Sequence, residues 1–477
     1  MTLDTLYDKV INKALALFEK GKYNRCIHWT KFAANILYFS FKTLYEKRIE
    51  SLIKGISERV VVKDDRMTRF HENRVIFYDS FSYDNRGLTQ QYIRALMSSG
   101  FHILYMSENQ NLKATRIFQE LSSCQKVQVY IVPKKKGSCK QISAIYRRII
   151  QYGPSRLLLH IRPSSLECLI AISNLPKEIT KYNINITDHA YWAGVSVFDY
   201  NLEFRNYGAS LSLKQRGICE RQILLLPYYP IVDDIPFKGF PISTTGKVVL
   251  FFGGNLSKIK GQDNFFLNLI KEVLNTYEQA ICFCAGQGDE DNLLSFIKDN
   301  GLEKKLIYIG FRNDIYQVIK HCDIFINTYP VGGGLMSQYA AINEKPIVAY
   351  SKPGGRNVES LIHTDKIISV YNKSSFFDYI GHLISDTGYR LNEGRSLGSN
   401  IPSPDMFCEM LKKTLETNET QYPIRFNEET VSSLNQTDVF NKEGFKISVI
   451  KSLGLKGFIY FPSLLPWTIK FLFRRFL

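Results

Sequence analysis

The chain has 477 residues, of which 45% are hydrophobic and 22% charged, and its formal net charge is +16. That length exceeds one small core and suits two or three domains, while the balance of residues excludes collagen-like and broadly disordered chains. The positive excess points to anionic partners: nucleic acid, an acidic membrane surface or phosphorylated substrates. The basic residues are scattered, without zinc-finger spacing or an RNA-binding signature, so nucleic acid is not the expected partner. Nine cysteines lie far apart. Only Cys282 and Cys284 are close and no CxxC occurs, which reads as reduced thiols in a cytosolic protein without a cysteine metal site. MTLDTLYDKVINKALALFEK has early acids and no unbroken apolar core, so it is not read as a signal peptide. No run of about 18 apolar residues reads as a membrane span.

Residues 1–65 read as a helical cap. Ala14, Leu17, Phe18, Tyr23, Cys26, Ile27, Trp29, Ala33 and Ile36 recur at helical spacing, with Gly21 as the break. The pattern resembles one tetratricopeptide-like helical hairpin, without the further copies a solenoid needs. Residues 66–240 alternate strand and helix: RVIFYDSF, a helix closed by Gly100, FHILYMSE, a helix over about 112–123, VQVYIV, the helix QISAIYRRIIQYG and RLLLHI. Such alternation predicts a parallel, doubly wound sheet whose ligands sit beyond the C-terminal strand ends. Asp79, Ser80, Arg86 and Gly87 are therefore placed beside a cleft, and Lys134–Lys136 as a solvated loop. Asp188 and His189 follow an apolar strand and precede Trp192, and such a pair can supply a general base or a structural hydrogen bond.

PFKGFPISTTG (236–246) is the boundary to a second alternating domain, 241–400. KVVLFFGGNLSKIKGQ and AICFCAGQGDE each read as strand and glycine loop, and NDIYQVIKHC as a helix beginning at Asn313 or Asp314. CDIFINTYPVGGGLMSQYAAINEKPIVAYS reads as strand, glycine turn, helix, strand. Gly332, Gly333 and Gly334 would let backbone approach a ligand closely, and the helix start would face an anion such as phosphate. Neither half has a GxGxxG fingerprint, which argues against a dinucleotide dehydrogenase.

The ordered series GGNLSKIKGQDNFFLNLI, AGQGDE, IGFR and DIFINTYPVGGGLMSQYAAINEKPIVA resembles the nucleotide-sugar-binding half of GT-B glycosyltransferases, over about 245–365. DHAYWAG, DYNLEFRNYG and LPYYP look like the matching segment of bacterial capsule and surface-polysaccharide transferases. They are more distantly similar to the protein O-GlcNAc transferase group. The resemblance implies an α/β GT-B fold, two Rossmann-like domains facing across a cleft, with the N-terminal helical hairpin and a C-terminal amphipathic tail. It places Lys258 and Lys260 on the donor diphosphate, with Gly253, Gly254 and Asn255 beneath it. Gly286 and Gly288 would lie near the nucleoside, and Gly310, Phe311 and Arg312 beside the base. Gly332, Gly333, Gly334, Leu335, Met336 and Ser337 would cap the diphosphate. His189, with Asp188, is the acid/base candidate, and Arg86, Gly87 and Trp192 belong to the acceptor side. Val331 and Tyr339 stand where many retaining members carry two glutamates, and Asn255 where an arginine is common, which fits the inverting branch better.

SPDMFCEMLKKTLETN suits a late helix crossing back to the first domain, within a last region 401–477 that ends in GLKGFIYFPSLLPWTIKFLFRRFL. Lys456, Lys470, Arg474 and Arg475 among apolar residues make 454–477 a candidate for lying on an anionic membrane. The expected activity is metal-independent, cofactor-free hexosyl or N-acetylhexosaminyl transfer from a nucleotide-diphosphate sugar, UDP-sugars favoured. The acceptor would be a growing surface glycan or its lipid-linked precursor, and the setting cytoplasmic or peripheral on the inner face of the plasma membrane. Protein O-glycosylation and a non-catalytic scaffold are the alternatives.

Overall fold

The apolar runs form two sheets in the computed structural model, which describes residues 2–62, 69–84, 88–134, 137–233, 235–288, 290–351, 358–364, 366, 368–398, 400–428, 431, 433–434 and 436–469. Arg86, Gly87, Lys135, Lys136, Lys470, Arg474 and Arg475 lie outside the described residues. The first sheet comprises β1 (His71–Asp79), β2 (His102–Ser107), β3 (Val127–Ile131), β4 (Pro154–His160), β5 (Thr180–Ile184), β6 (Tyr200–Glu203) and β7 (Ile223–Leu225). The second comprises β8 (Val248–Asn255), β9 (Ala280–Gln287), β10 (Leu306–Tyr308), β11 (Ile324–Asn327), β12 (Ile347–Tyr350) and β13 (Ser369–Val370). Their orders are β3-β2-β1-β4-β5-β6-β7 and β10-β9-β8-β11-β12-β13. Every described pairing is parallel. Helices on both faces explain why β2 and β9 are buried almost continuously instead of alternately.

The chain divides into two units, residues 1–226 with 408–477, and residues 227–407. In the first unit the N-terminal region is three helices, Leu3–Glu19, Tyr23–Ser40 and Lys47–Val60, one more than a hairpin. Gly21, at φ +66°, makes the turn between the first two. Ile11, Ile27, Ile49 and Ile53 share one core with Ile76, Leu104 and Leu157 of the sheet, so these helices extend the sheet's core. The helix expected over 112–123 is broken at Thr115, which is extended and caps Arg116–Ser122 through its hydroxyl. The division between units falls inside the helix Pro404–Thr417. In the first unit, Arg156 Nε donates to the Leu415 carbonyl at 2.9 Å.

Three further helices, Gln436–Asn441, Glu443–Leu453 and Leu455–Tyr460, return to the first unit's core through Val439, Phe445, Val449 and Phe461. Among the described residues no helix is long and apolar enough to cross a membrane. The second unit has its own core, in which Leu250, Phe252, Cys282, Ile324 and Val348 of the strands meet Ile270 and Ile380 of the flanking helices.

Candidate functional site

Strand order in the second unit reverses between β8 and β11, which are neighbours although far apart in sequence. Loops leaving the C-terminal ends of two such strands diverge and leave a crevice. The loop after β8 contains Lys258 and Lys260, and the loop after β11 leads into helix Gly334–Ile342. The two loops touch. Val331 N–H donates to the Lys258 carbonyl at 3.3 Å, and Lys258 Nζ donates to the Gly332 carbonyl at 3.4 Å. Thr328 Oγ1 donates to the Val331 carbonyl at 2.7 Å, and Asn327 Oδ1 accepts from Gly333 N–H at 2.8 Å. The glycine turn is thus held from below by the end of β11. No side chain caps the following helix, the arrangement in which a helix start can offer its first N–H groups to an anion.

Glycine is required where β8 and β9 end. Gly286 has φ +150°, and a Cβ there would stand 1.9 Å from the Gly254 carbonyl oxygen. Gly254 has φ +123°, and a Cβ on Gly253 would stand 2.6 Å from the Ala285 carbonyl oxygen. Backbones this close leave no room for side chains, which keeps the floor of the crevice flat. Asn255 Oδ1 accepts from Ser257 N–H at 2.9 Å, bending the chain toward Lys258 and Lys260. Gly288 N–H donates to Glu290 Oε1 at 2.9 Å, and backbone hydrogen bonds lower the Glu290 pKa. Leu335 is partly exposed, whereas Met336 and Ser337 are buried and Ser337 Oγ donates to the Gly333 carbonyl at 2.9 Å. Ser337 therefore stabilises the turn from inside.

Arg312 has a different employment from the one its neighbours imply. Its Nε and Nη2 donate to both Asp314 oxygens at 2.7 and 2.6 Å, and Nη1 donates to the Gly239 carbonyl at 3.0 Å. These hydrogen bonds and that of Lys238 N–H pull Asp314 down to about 2. The arginine ties the 236–240 segment to the loop after β10, and Phe311 is the exposed side chain beside it. Asp314 precedes the helix Ile315–Lys320, but its carboxylate is committed to Arg312 and Lys238 and makes no cap. Tyr339, at a glutamate position of the family pattern, donates its hydroxyl to the Ile231 carbonyl at 2.7 Å. Burial raises its pKa to about 12. Its role is to pin the linker.

In the first unit Asp79 and Ser80 line no open space. Asp79 is fully buried and accepts from Tyr105 hydroxyl at 2.7 Å, Thr89 hydroxyl at 2.8 Å and Phe81 N–H at 2.8 Å. It also meets His160 Nδ1 at 3.0 Å. Burial would raise its pKa, but His160 and these bonds lower it. Ser80 Oγ accepts from Arg162 N–H at 2.7 Å. A strand-end aspartate is a position where ligands and folded loops compete, and here the loop occupies it.

Asp188 is likewise interior. Arg205 Nε and Nη2 donate to its two oxygens at 2.5 and 3.0 Å, and His189 Nδ1 lies 3.2 Å from Oδ1. Burial opposes its charge, yet Arg205 and the His189 and Arg205 hydrogen bonds hold it well below the carboxylate range. An ionised Asp188 places the imidazole proton on Nδ1 and the lone pair on Nε2. His189 is 28% exposed, against 1% for Asp188. Asp188 is therefore the positioning member of the pair.

Beneath it, Arg216 Nη2 donates to the Asp188 and Ala190 carbonyls at 2.7 and 2.9 Å, and its guanidinium lies 5.1 Å over the Trp192 ring. Trp192 is 5% exposed and borders a small cavity with Arg162, Asn185 and Thr187. Glu203, fully buried, accepts through Oε1 from Asn185 and Ser212 at 2.8 and 2.5 Å. Its Oε2 has no hydrogen-bond partner among the described residues. Burial, only partly offset by Arg216, pushes it up to about 7, and burial brings Arg216 down to about 10. The Glu203–Arg216 network is what sequence reasoning missed; its one signal was charge inside the apolar strand of DYNLEFRNYG.

Residues 246–386 match the model of the family Glycosyl transferases group 1. In structure the chain is similar to an O-GlcNAc transferase mutant of Thermobaculum terrenum, at 14% identity over 86% of this chain and 83% of that one, with a TM-score of 0.53. It is also similar to Anabaena Alr3699/HepE in complex with UDP and glucose, at 14% identity over 73% and 100%, TM-score 0.52. A mutant of S. aureus TarM, in complex with Fondaparinux, alpha-GlcNAc-glycerol and UDP, aligns at 10% identity over 72% and 100%, TM-score 0.51. No curated protein matches the chain in sequence. This is a GT-B fold, and its residues 246–386 are similar to group 1 glycosyl transferases. In that fold the second unit contains the whole matched segment, including every residue of the crevice between β8 and β11.

Proposed function

We propose that the protein transfers a hexosyl or N-acetylhexosaminyl group from a UDP-sugar to a growing surface glycan or its lipid-linked precursor. The observation that supports this most is the contact between the lysine loop after β8 and the glycine turn after β11, at the strand-order reversal. Two lysines and a helix start there offer charge and N–H groups to a diphosphate. In the proposed reaction an acceptor oxygen bonds to the anomeric carbon as the bond from that carbon to the diphosphate oxygen breaks. Lys258, Lys260 and the backbone N–H groups of the Gly334–Ile342 helix stabilise the departing diphosphate. His189 Nε2 takes the acceptor's proton, with Asp188 holding the ring. Gly286 and Gly288 give the nucleoside a flat seat, and Phe311 borders the base. The proposed setting is cytoplasmic, and no metal or cofactor is assigned a part.

Thermal unfolding with UDP-, GDP-, ADP- and CMP-sugars, with and without chelator, tests this directly. A ligand at a hundred times its Kd adds about 2.7 kcal/mol. A response to UDP-sugars that survives chelation, followed by transfer to a glycan acceptor, is the expected result. Silence toward all four nucleotides would favour a scaffold without turnover. The likeness to the O-GlcNAc transferase extends over 86% of this chain, which favours protein O-glycosylation as the second reading. Transfer to peptides in preference to glycans would select it.

A further inference from the structure

Helices Glu443–Leu453 and Leu455–Tyr460 have two unlike faces. The inner face belongs to the first unit: Phe39 and Phe445 rings lie 5.9 Å apart, and Asn35 Nδ2 donates to Ser448 Oγ at 3.1 Å. Phe461 and Leu464 are buried on the same side. The outer face carries Leu455 at 82% exposure and Ile459 at 75%, one helical turn apart, with Tyr460, Leu465 and Ile469 also exposed. Scattered apolar residues on a surface need no explanation, but a row on consecutive elements does.

The charge around this row has one sign. From Gly444 to Ile469 the sequence contains Lys446, Lys451 and Lys456 and no aspartate or glutamate. Lys451 and Lys456 are exposed, and Lys446 Nζ lies 5.4 Å over the Trp467 ring. Lys13 Nζ of the first helix lies 3.6 Å over the Trp29 ring. Its pKa is lowered by partial burial and then by repulsion from Lys456 and Arg25, so cations from three elements converge here. Glu443 and Asp438, the nearest acids in sequence, precede the row.

We infer that the Leu455–Ile469 face, with Lys13, Arg25, Lys451 and Lys456 around it, docks the protein on an anionic phospholipid surface. Apolar side chains enter the headgroup boundary while the cations meet lipid phosphates, and neither contribution alone makes a stable anchor. An anionic lipid fits this face because the exposed leucine and isoleucine seek hydrocarbon and the cations meet no acid on the row. Docking there would hold the enzyme beside a lipid-linked acceptor, so this inference deepens the proposed function.

The full chain is sedimented with phosphatidylcholine vesicles, with and without about 30% phosphatidylglycerol. Binding is expected only to the anionic vesicles, with loss in about 0.5 M salt. Lys451→Glu with Lys456→Glu should lower the partition coefficient by tenfold or more, since each basic residue contributes roughly fivefold. Leu455→Glu with Ile459→Glu should abolish binding with the melting temperature unchanged. Equal binding to neutral vesicles, no binding to either, or an unaffected Leu455/Ile459 variant overturns the inference. Stabilisation by UDP-sugar, read on the same samples, reports the second unit separately, so either reading can fail without the other.

Discussion

The two units hold their functional groups in opposite ways. In the second unit the crevice between β8 and β11 is made of backbone: glycines at φ values other residues avoid, a turn held by Asn327 and Thr328, the half-buried Lys258 bonded to that turn and the exposed Lys260. In the first unit the half-buried His189 rests on interior charge, with Asp188, Arg205, Glu203 and Arg216 all buried. An exposed backbone site can change its ligand contacts at little cost to the fold. A buried charge network cannot lose one member without leaving another unpaired. Substitutions in the first unit should therefore be read in stability, and those at the lysines in binding.

The largest expected effect is Arg205→Ala, which strands Asp188 in the interior. Unfolding in urea should show a loss of about 3 kcal/mol or more; a loss below about 1 kcal/mol would mean that Asp188 finds other compensation. Next comes Gly286→Ala, where the new Cβ meets the Gly254 carbonyl. Strain of about 2–3 kcal/mol is expected, together with loss of UDP-sugar stabilisation. A variant as stable as the parent would show that the ends of β8 and β9 can separate.

Glu203 gives the contrast a pH signature. Its folded pKa, about 7, lies above the ordinary 4.5, so between these values the folded chain binds more protons than the unfolded one. Stability is full below about 4.5 and falls as pH rises to about 7, by on the order of 3 kcal/mol. Asp188 acts in the other direction, with stability present above the ordinary 3.8 and lost as pH falls. Glu203→Gln should remove the decline between pH 5 and 7.5 in urea titrations, and a decline that persists assigns it to another group. The smallest effects belong to Lys258→Ala and Lys260→Ala: about 1–2 kcal/mol each in UDP-sugar affinity, with unfolding unchanged. Unaltered affinity in both would remove the lysine loop from the donor site.

Much of the fold was legible in the chain. Uninterrupted apolar runs alternating with helical periods required buried parallel strands, and the glycine-rich turns after β8, β9 and β11 marked where strand ends open. The third N-terminal helix and the break at Thr115 were less so, because Lys47–Val60 is strongly polar outside one face and Thr115 is compatible with either state. Of the candidate site, the lysine loop and glycine turn stand out in the sequence because loop residues announce themselves by type, and the structure brings the two into contact. The employment of Arg312, Tyr339 and Asp79 could not, since each has a partner distant in sequence: Gly239, Ile231 and His160.

By itself the sequence determined which segments become strands and helices, where glycine must stand, and the one-signed charge of residues 444–477. These depend on local sterics, periodicity and composition, which need no knowledge of neighbours. Tertiary structure decided which charges are interior and which remain at the surface. Asp188 and His189 are adjacent in the chain, yet Arg205 and Arg216 draw one into the core and leave the other partly accessible. Burial and pairing are set by what folding brings alongside, and they determine whether an ionisable group serves the fold or the chemistry.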